Sequence, residues 1–209
     1  MKEYWESFFK DGVALWGFEP ADSAFQALQI FKSRGIRDIL LPGFGYGRNA
    51  KLFCDNGFEV TGIEISGSAI ALAKSLGLPC ILHHGSVTSM PFDSRQFDGI
   101  YCYALLHLLN KAERHNFLKA CYQQLRPGGL MIFIVTSKEL AYYGKGKYLS
   151  KDRFEISKGL KVFFYDQDSV RKEFASFGLL EFRQIDEPIK FMENQEPIRM
   201  IFVTCQKKT

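Results

Sequence analysis

The chain predicts an α/β fold: a doubly wound, mostly parallel sheet that closes on an antiparallel last strand. Three observations carry this. Between residues 20 and 136, short apolar runs alternate with segments of helical period, the pattern of strands joined by right-handed helical crossovers. A glycine ladder, Gly43-Phe44-Gly45-Tyr46-Gly47, stands directly after the first apolar run. Beyond Gly178 two strand-like runs follow one another with no helix between them, so they pair antiparallel.

Each element has its own signal. In ADSAFQALQIFKSRG, Ala24, Phe25, Leu28 and Phe31 share one helical face, and Gly35 ends the helix. Arg37 to Pro42 (RDILLP) is short and mostly apolar, as a central parallel strand buried on both faces should be. A helix through NAKLFCDNG closes at Gly57, and FEVTGIEI, 58–65, is the second strand. SGSAIALAKSLG is the next helix, with serines near its start. Pro79-Cys80-Ile81-Leu82 begins a third strand, and FDGIYCYAL, from Phe97, is a fourth. Asn110-Lys111-Ala112-Glu113 has the form of a capping box, opening a helix that turns Leu118, Cys121, Tyr122 and Leu125 to the core. GGLMIFIV, 128–135, is the fifth strand. SVRKEFASFG, 169–178, reads as a helix, followed by the antiparallel pair LLEFRQI and IRMIFVTC. Residues 137–165 read as one long irregular stretch, too long for a passive connection.

The 209 residues suit a single domain, with 1–34 as an N-terminal cover and first helix and 137–165 as a substrate-side insertion or lid. An apolar fraction of 46% supports a sizeable core, and 24% charged residues is ordinary for a globular chain. The formal net charge of +4 is spread along the chain, a mild bias that is compatible with a small-molecule enzyme and too weak to argue for a nucleic-acid partner. Five widely spaced cysteines, Cys54, Cys80, Cys102, Cys121 and Cys205, form no CxxC pair and read as reduced thiols, four of them buried in apolar surroundings. The N-terminus, MKEYWESFFKDG, is acidic and aromatic, unlike a signal peptide, and no apolar run approaches the about 20 residues of a membrane helix. A cytoplasmic protein with no membrane association is expected. The oligomeric state is not set by these features.

In an open α/β sheet the ligand lies beyond the carboxyl ends of the strands. Gly43, Gly45 and Gly47 sit there, and without Cβ atoms they let the backbone turn sharply and approach a ligand. Glu64 ends the second strand, where a carboxylate can accept both hydroxyls of a ribose. Loop and acid together bind a nucleoside. GYGRNA, 45–50, satisfies G-x-G-x-x-A, so a dinucleotide and an NAD(P)-dependent oxidoreductase stay open, although no Tyr-x-x-x-Lys or comparable hydride-site pair accompanies it. His83 and His84 end the third strand without metal-ligand company, so no metal site is expected, and His115 is placed on an exposed helix face.

Three later motifs decide the reading. MPF at 90–92, FDGIYCYALLHLL at 97–109 and LRPGGLMIFIV at 125–135 occur in the order and spacing of the class I S-adenosylmethionine-dependent methyltransferases, which the chain resembles. The GRNA tail, the VTGIEIS strand and the N-terminal W…WGFEP are similar to the tellurite-resistance methyltransferases. The P-G-x-G-x-G start also resembles the thiopurine and thiol methyltransferases; both groups act on small soft nucleophiles. The resemblance implies a Rossmann-like sheet of order 3-2-1-4-5-7-6 with helices on both faces, and S-adenosyl-L-methionine as cofactor. It implies cofactor contacts from Gly43, Phe44, Gly45, Gly47, Asn49, Glu64, Ile65, Ser86, Val87 and Tyr103. It further implies in-line methyl transfer to a small-molecule acceptor, a soft or anionic one. Near the carboxyl edge, Tyr103 and His107 are candidate positioning residues, and the Tyr and Lys content of AYYGKGKYLSK suggests a substrate lid with Tyr142, Tyr143 and Tyr165, to which Trp16 of the N-terminal cover (Trp5, Phe8, Phe9, Trp16) is added. His107 matches the first histidine of the family's L-H-H, whose second is Leu108 here, and a packed histidine capping a loop is the competing reading. Two positions depart from the pattern: Leu41 replaces an acid, and the loop after the third strand reads Gly85-Ser86-Val87 in place of a G-D-A type. The missing acid at 41 is what a nonenzymatic nucleoside-binding protein would show. An RNA or protein methyltransferase is less favoured, because Tyr101-Cys102-Tyr103-Ala104 stands where an N-P-P-Y-type tetrapeptide would.

Overall fold

A computed structural model describes residues 2–10, 14, 16–190 and 195–209. In chain order the elements are α1 (Lys2–Phe9), α2 (Asp22–Ser33), β1 (Asp38–Pro42), α3 (Arg48–Asp55), β2 (Glu59–Glu64), α4 (Gly67–Ser75), β3 (Ile81–His84), β4 (Phe97–Tyr103), α5 (Lys111–Gln124), β5 (Leu125–Thr136), β6 (Lys147–Ser150), β7 (Arg153–Ser157), β8 (Leu160–Phe163), α6 (Gln167–Phe174), β9 (Leu179–Glu187) and β10 (Ile198–Gln206). Seven strands form one sheet in the order β3-β2-β1-β4-β5-β10-β9. The first five pair parallel, and β10 pairs antiparallel with both β5 and β9. This is the expected order once the three inserted strands are set aside.

Alternation within single strands explains why both faces carry helices. Leu40, Ile100, Cys102, Phe133 and Val135 join Phe117, Leu118 and Phe174 in one apolar cluster. Their neighbours Ile39, Leu41, Tyr101, Ile132 and Ile134 join Leu28, Phe31 and Phe53 in another. The expected capping box is present: Asn110 accepts from the Glu113 N–H, and the Glu113 carboxylate accepts from the Asn110 N–H. A second box, Asp166 with Ser169, opens α6.

Four expectations need correction. Phe25 does not face the core but is 42% exposed, because the buried stripe of α2 runs through Ser23, Ala24, Ala27, Leu28 and Phe31. Residues 137–165 are not irregular: β6, β7 and β8 form a separate antiparallel three-stranded sheet. Of the five cysteines, Cys102, Cys121 and Cys205 are buried, but Cys54 and Cys80 are only half-buried. Tyr165, expected at the lid, is fully buried in the main core, edge-on to Phe163 at 4.8 Å.

The sequence motifs hold the strands at their amino ends. The Asp98 carboxylate accepts from the Asp38 N–H at the start of β1 and pairs with Arg126 at the start of β5. A Cβ on Gly129 would come within 2.9 Å of both the Arg126 and Asp98 carbonyl oxygens, so the L-R-P-G-G turn needs glycine there. At the other end, Phe44 lies in a notch left by Gly62 of β2, where a Cβ would meet the Phe44 ring at 2.2 Å. Gly62→Ala should destabilise the fold by about 1–3 kcal/mol through overpacking, read as a lower urea midpoint, and Phe44→Leu in the same chain should recover part of that loss. An unchanged midpoint in the single variant would show that Phe44 has another place to go.

Candidate cofactor and substrate site

The chain leaves β1 at Pro42 and turns back on β2 at once. The N–H groups of Gly43 and Phe44 both donate to the Ile63 carbonyl, at 2.9 and 3.0 Å. Gly43, Gly45 and Gly47 all have positive φ, at 72°, 59° and 87°, a region that side chains disfavour. Each also has a separate spatial role. A Cβ on Gly43 would lie 3.0 Å from Leu105 Cδ2, and one on Gly47 would lie 2.2 Å from Leu78 Cδ1. Gly45 faces open space.

Glu64 fastens this loop. Its Oε2 accepts from the Gly45 N–H at 2.7 Å, and its Oε1 accepts from the N–H groups of Ile65 and Ser66 at 2.9 Å each. Burial pushes the Glu64 carboxyl above its ordinary value of 4.5, against the three N–H donors that favour its charged form. A carboxylate has about four acceptor positions, so about one remains for a ligand hydroxyl while the loop bonds persist.

A second carboxylate sits beside it. Glu6 of α1 accepts from the Ser66 hydroxyl at 2.8 Å and the Ser68 hydroxyl at 2.6 Å. Those bonds hold its carboxyl down at about 2. Glu6 thus pins α1 to the start of α4, where the helix dipole also favours negative charge. From that pin α1 crosses the carboxyl edge of the sheet. Phe9 and Trp16 pack with Tyr46 and Ala69 on one side. Trp5 reaches both that cluster and a second one of Leu108, Val162 and Phe164, with Leu105, Leu140, Phe154 and Ile156 around it. Tyr4 lies against Gly159 in the β7–β8 turn, where a Cβ would be 3.2 Å from its ring. The N-terminal helix and the three-stranded sheet therefore touch each other above the span from Glu64 to Leu105.

The expected site residues fall into distinct places. Ile65 contributes its N–H to Glu64 and its carbonyl to His84 Nε2, at 3.2 Å. Asn49 spends its Oδ1 on the Ala21 N–H at 3.0 Å, tying the start of α2 to α3. Ser86 caps the single 3-10 turn Val87–Ser89 and bonds the Thr88 hydroxyl at 2.8 Å; Val87 is buried. Phe92 holds that loop down, since a Cβ on Gly85 would strike its ring at 2.4 Å. Tyr103 lies under the Arg48 guanidinium, 5.4 Å from the ring centre, and burial pushes its phenol up to about 12. His107 is buried, and its Nδ1 accepts from the Thr136 N–H at 3.2 Å. Burial, reinforced by Arg114, pushes it down to about 3, so it is neutral with its proton on Nε2. Trp16 packs at tilted and edge-on angles among Trp5, Phe8 and Phe9, and its carbonyl accepts from Arg48 Nη1. Tyr142 is exposed, whereas Tyr143 donates to Asp152 at 2.8 Å and stands edge-on to Phe154 and Phe164.

Glu6, Arg48 and Leu105 were not singled out by sequence reasoning. Arg48 had a signal in the GRNA tail. Glu6 had none beyond the aromatic run around it, in which Trp5, Phe8, Phe9 and Trp16 suggest an N-terminal cover. Among the described residues no cluster of three or more potential metal ligands occurs, and no helix is long and apolar enough to cross a membrane. An open groove of about 750 Å³ between α6 and β9, lined by Arg171, Leu180, Phe182 and Arg183 among others, lies on the far edge of the sheet, apart from the glycine loop.

Gly45 thus borders open space beside the buried Glu64 carboxylate. Residues 40–133 match the family described as a methyltransferase domain. A tRNA N(3)-methylcytidine methyltransferase Mettl2 of Drosophila melanogaster is 26% identical, covering 86% of this chain and 62% of that protein. A probable S-adenosylmethionine-dependent methyltransferase of Mycolicibacterium smegmatis is 26% identical over 53% of this chain and 42% of its own. The chain spans about half the length of the curated relatives it matches. Among solved structures, Burkholderia thailandensis 1,6-didemethyltoxoflavin-N1-methyltransferase, with bound 1,6-didemethyltoxoflavin and S-adenosylhomocysteine, superposes with a TM-score of 0.74 at 18% identity, covering 100% of this chain and 87% of that one. TehB from Haemophilus influenzae gives 0.65 at 16% identity, covering 88% and 62%. Fold, motif order and family match agree: residues 40–133 match a methyltransferase domain, on a sheet of the order expected from the resemblance to the class I S-adenosylmethionine-dependent methyltransferases.

Proposed function

We propose that this chain transfers a methyl group from S-adenosylmethionine to a small-molecule acceptor with a soft or anionic nucleophile. The observation that carries this reading is the shared roof of α1 and β6–β8, closed by Trp5 and by Tyr4 against Gly159. Such a roof suits an acceptor that can be enclosed. The bound cofactor supplies a methyl group already activated on a sulfonium. Gly43, Gly45 and Gly47 shape the cradle, and Glu64 supplies a charged acceptor for the ribose. The roof excludes water, while Leu105 and the ring of Tyr103 border the mouth of β1 and β4. Alignment in such a chamber supplies much of the acceleration of a displacement. His107 is a neutral packing group that orders the end of β5, and on this reading no side chain removes a proton from the acceptor.

A tRNA acceptor is the second reading, favoured by the relative aligned over 86% of this chain. Labelled-methyl transfer separates the two. With tritiated S-adenosylmethionine and parallel samples of thiols, heteroaromatic thiols, amines and tRNA, label should enter the low-mass thiol fraction. Label in tRNA alone would overturn the small-molecule reading, and calorimetry with no heat from S-adenosylhomocysteine would overturn the cofactor assignment.

Glu64→Gln should weaken S-adenosylhomocysteine by about 1–3 kcal/mol, the range for losing a charge-assisted acceptor. The wild-type affinity should be full at neutral pH and fall as the pH drops through the raised Glu64 value, beginning above its ordinary 4.5. That limb should be absent from the Gln variant; its persistence would assign the titration elsewhere. For His107, turnover of a thiolate acceptor should show no limb belonging to a histidine between pH 6 and 8. His107→Ala should instead lower stability by about 1–3 kcal/mol, the cost of leaving the Thr136 N–H without an acceptor, with His107→Asn closer to wild type by urea denaturation. Glu6→Ala should speed release of S-adenosylhomocysteine in stopped-flow measurements, because α1 loses its pin; an unchanged release rate would show that α1 does not gate the site.

A further inference from the structure

Cys54 lies in the last turn of α3, and Cys80 lies in the short link between α4 and β3. Their Sγ atoms are 3.2 Å apart, across 26 positions of sequence. Both are half-buried, so small solutes reach them, whereas Cys102, Cys121 and Cys205 are buried. Two bonded sulfurs stand about 2.05 Å apart, so a bridge here needs an approach of little more than about 1 Å. Residues 78–80 have no regular secondary structure, and Gly77 before them has positive φ and open space around it, so the link can supply that movement.

We propose that Cys54 and Cys80 are a dithiol modification site, oxidised reversibly to an intrachain disulfide by low-molecular-mass disulfides such as glutathione disulfide. The Cys54 thiolate attacks one sulfur of the small disulfide and expels one small thiolate. Cys80 then attacks the Cys54 sulfur of the mixed disulfide and expels the second. Two protein thiols lose two electrons and two protons, and the small disulfide gains them as two thiols. Either thiol can donate to the other across this contact, and that shared hydrogen bond favours loss of a proton from the pair, with Cys54 held below its usual value. Cys54 is accordingly the first thiol to attack, and Cys80 the resolving one. The bridge would tie α3, which starts in the glycine loop, to the link whose Leu78 fills the space beside Gly47.

The test uses the reduced full chain with glutathione disulfide, followed by intact mass and peptide mapping without reductant. The expected product has lost two hydrogens, carries no glutathione, joins the Cys54 and Cys80 peptides, and reverts with dithiothreitol. Cys80→Ser should stop at a lasting glutathione adduct on Cys54. An unmodified wild-type chain, lasting adducts without a cross-link, or a cross-link through another cysteine would each overturn the proposal. These readouts are independent of cofactor binding, so they stand or fall apart from the methyltransferase reading.

Discussion

Three N–H groups converge on the Glu64 carboxylate: Gly45 of the glycine loop, Ile65 just past β2, and Ser66 at the cap of α4. Burying a carboxylate is costly unless such donors surround it, so the acid and the loop specify one another. Gly45 can aim its N–H there because its φ is 59°, and Phe44 can stay beneath because Gly62 has no Cβ. The loop is therefore shaped from β2 as much as from its own glycines. Glu6 repeats the logic one turn on, at Ser66 and Ser68, and in doing so attaches the roof to the same point.

Much of the fold was legible because its signals are local. The capping box at Asn110, the glycine spacing after β1 and the apolar runs of β1, β4 and β5 each act within a few residues. The motifs that carried the resemblance are different in kind. Asp98 and Arg126 grip Asp38 at the amino ends of the strands, away from the glycine loop, and MPF places Phe92 over Gly85. They report architecture, which is why they carry a resemblance to a superfamily while leaving the acceptor open. Of the residues expected at the site, Glu64 and the glycines cluster, whereas Asn49 and His107 are spent on backbone N–H groups that only the tertiary structure supplies.

What was not legible depends on contacts distant in sequence. The strands of the inserted sheet are four or five residues long, interrupted by Gly144, Gly146 and Gly159, and their apolar alternation is too short to stand out. Phe154 and Phe164 gain their meaning only from Trp5, which lies about 150 positions earlier. Tyr165 was placed in a lid by proximity in sequence, but the Ser137–Tyr165 bridge carries it back to the main sheet and into the core. The Cys54–Cys80 contact joins a helix end to a loop, and neither carries a local mark.

On the proposed reading, the roof also bears on which acceptors the site would favour. Trp5, Leu105, Leu108, Phe154 and Phe164 offer almost no dipoles, and His107 at their border is neutral. In so apolar a space opposite charges attract strongly, and a displacement in which an anionic nucleophile cancels a cationic centre relieves charge as it proceeds. A neutral amine would instead leave a cation in the chamber, which costs unless a partner is at hand. Arg48, held over Tyr103 near the mouth of β1 and β4, adds positive potential and pushes the balance further the same way. A thiolate gains from both effects, and because it is already deprotonated it does not require the base that His107 cannot be. On the proposed reading, the apolar cover would thus favour a soft anion by electrostatics, before any specific contact with the acceptor is made.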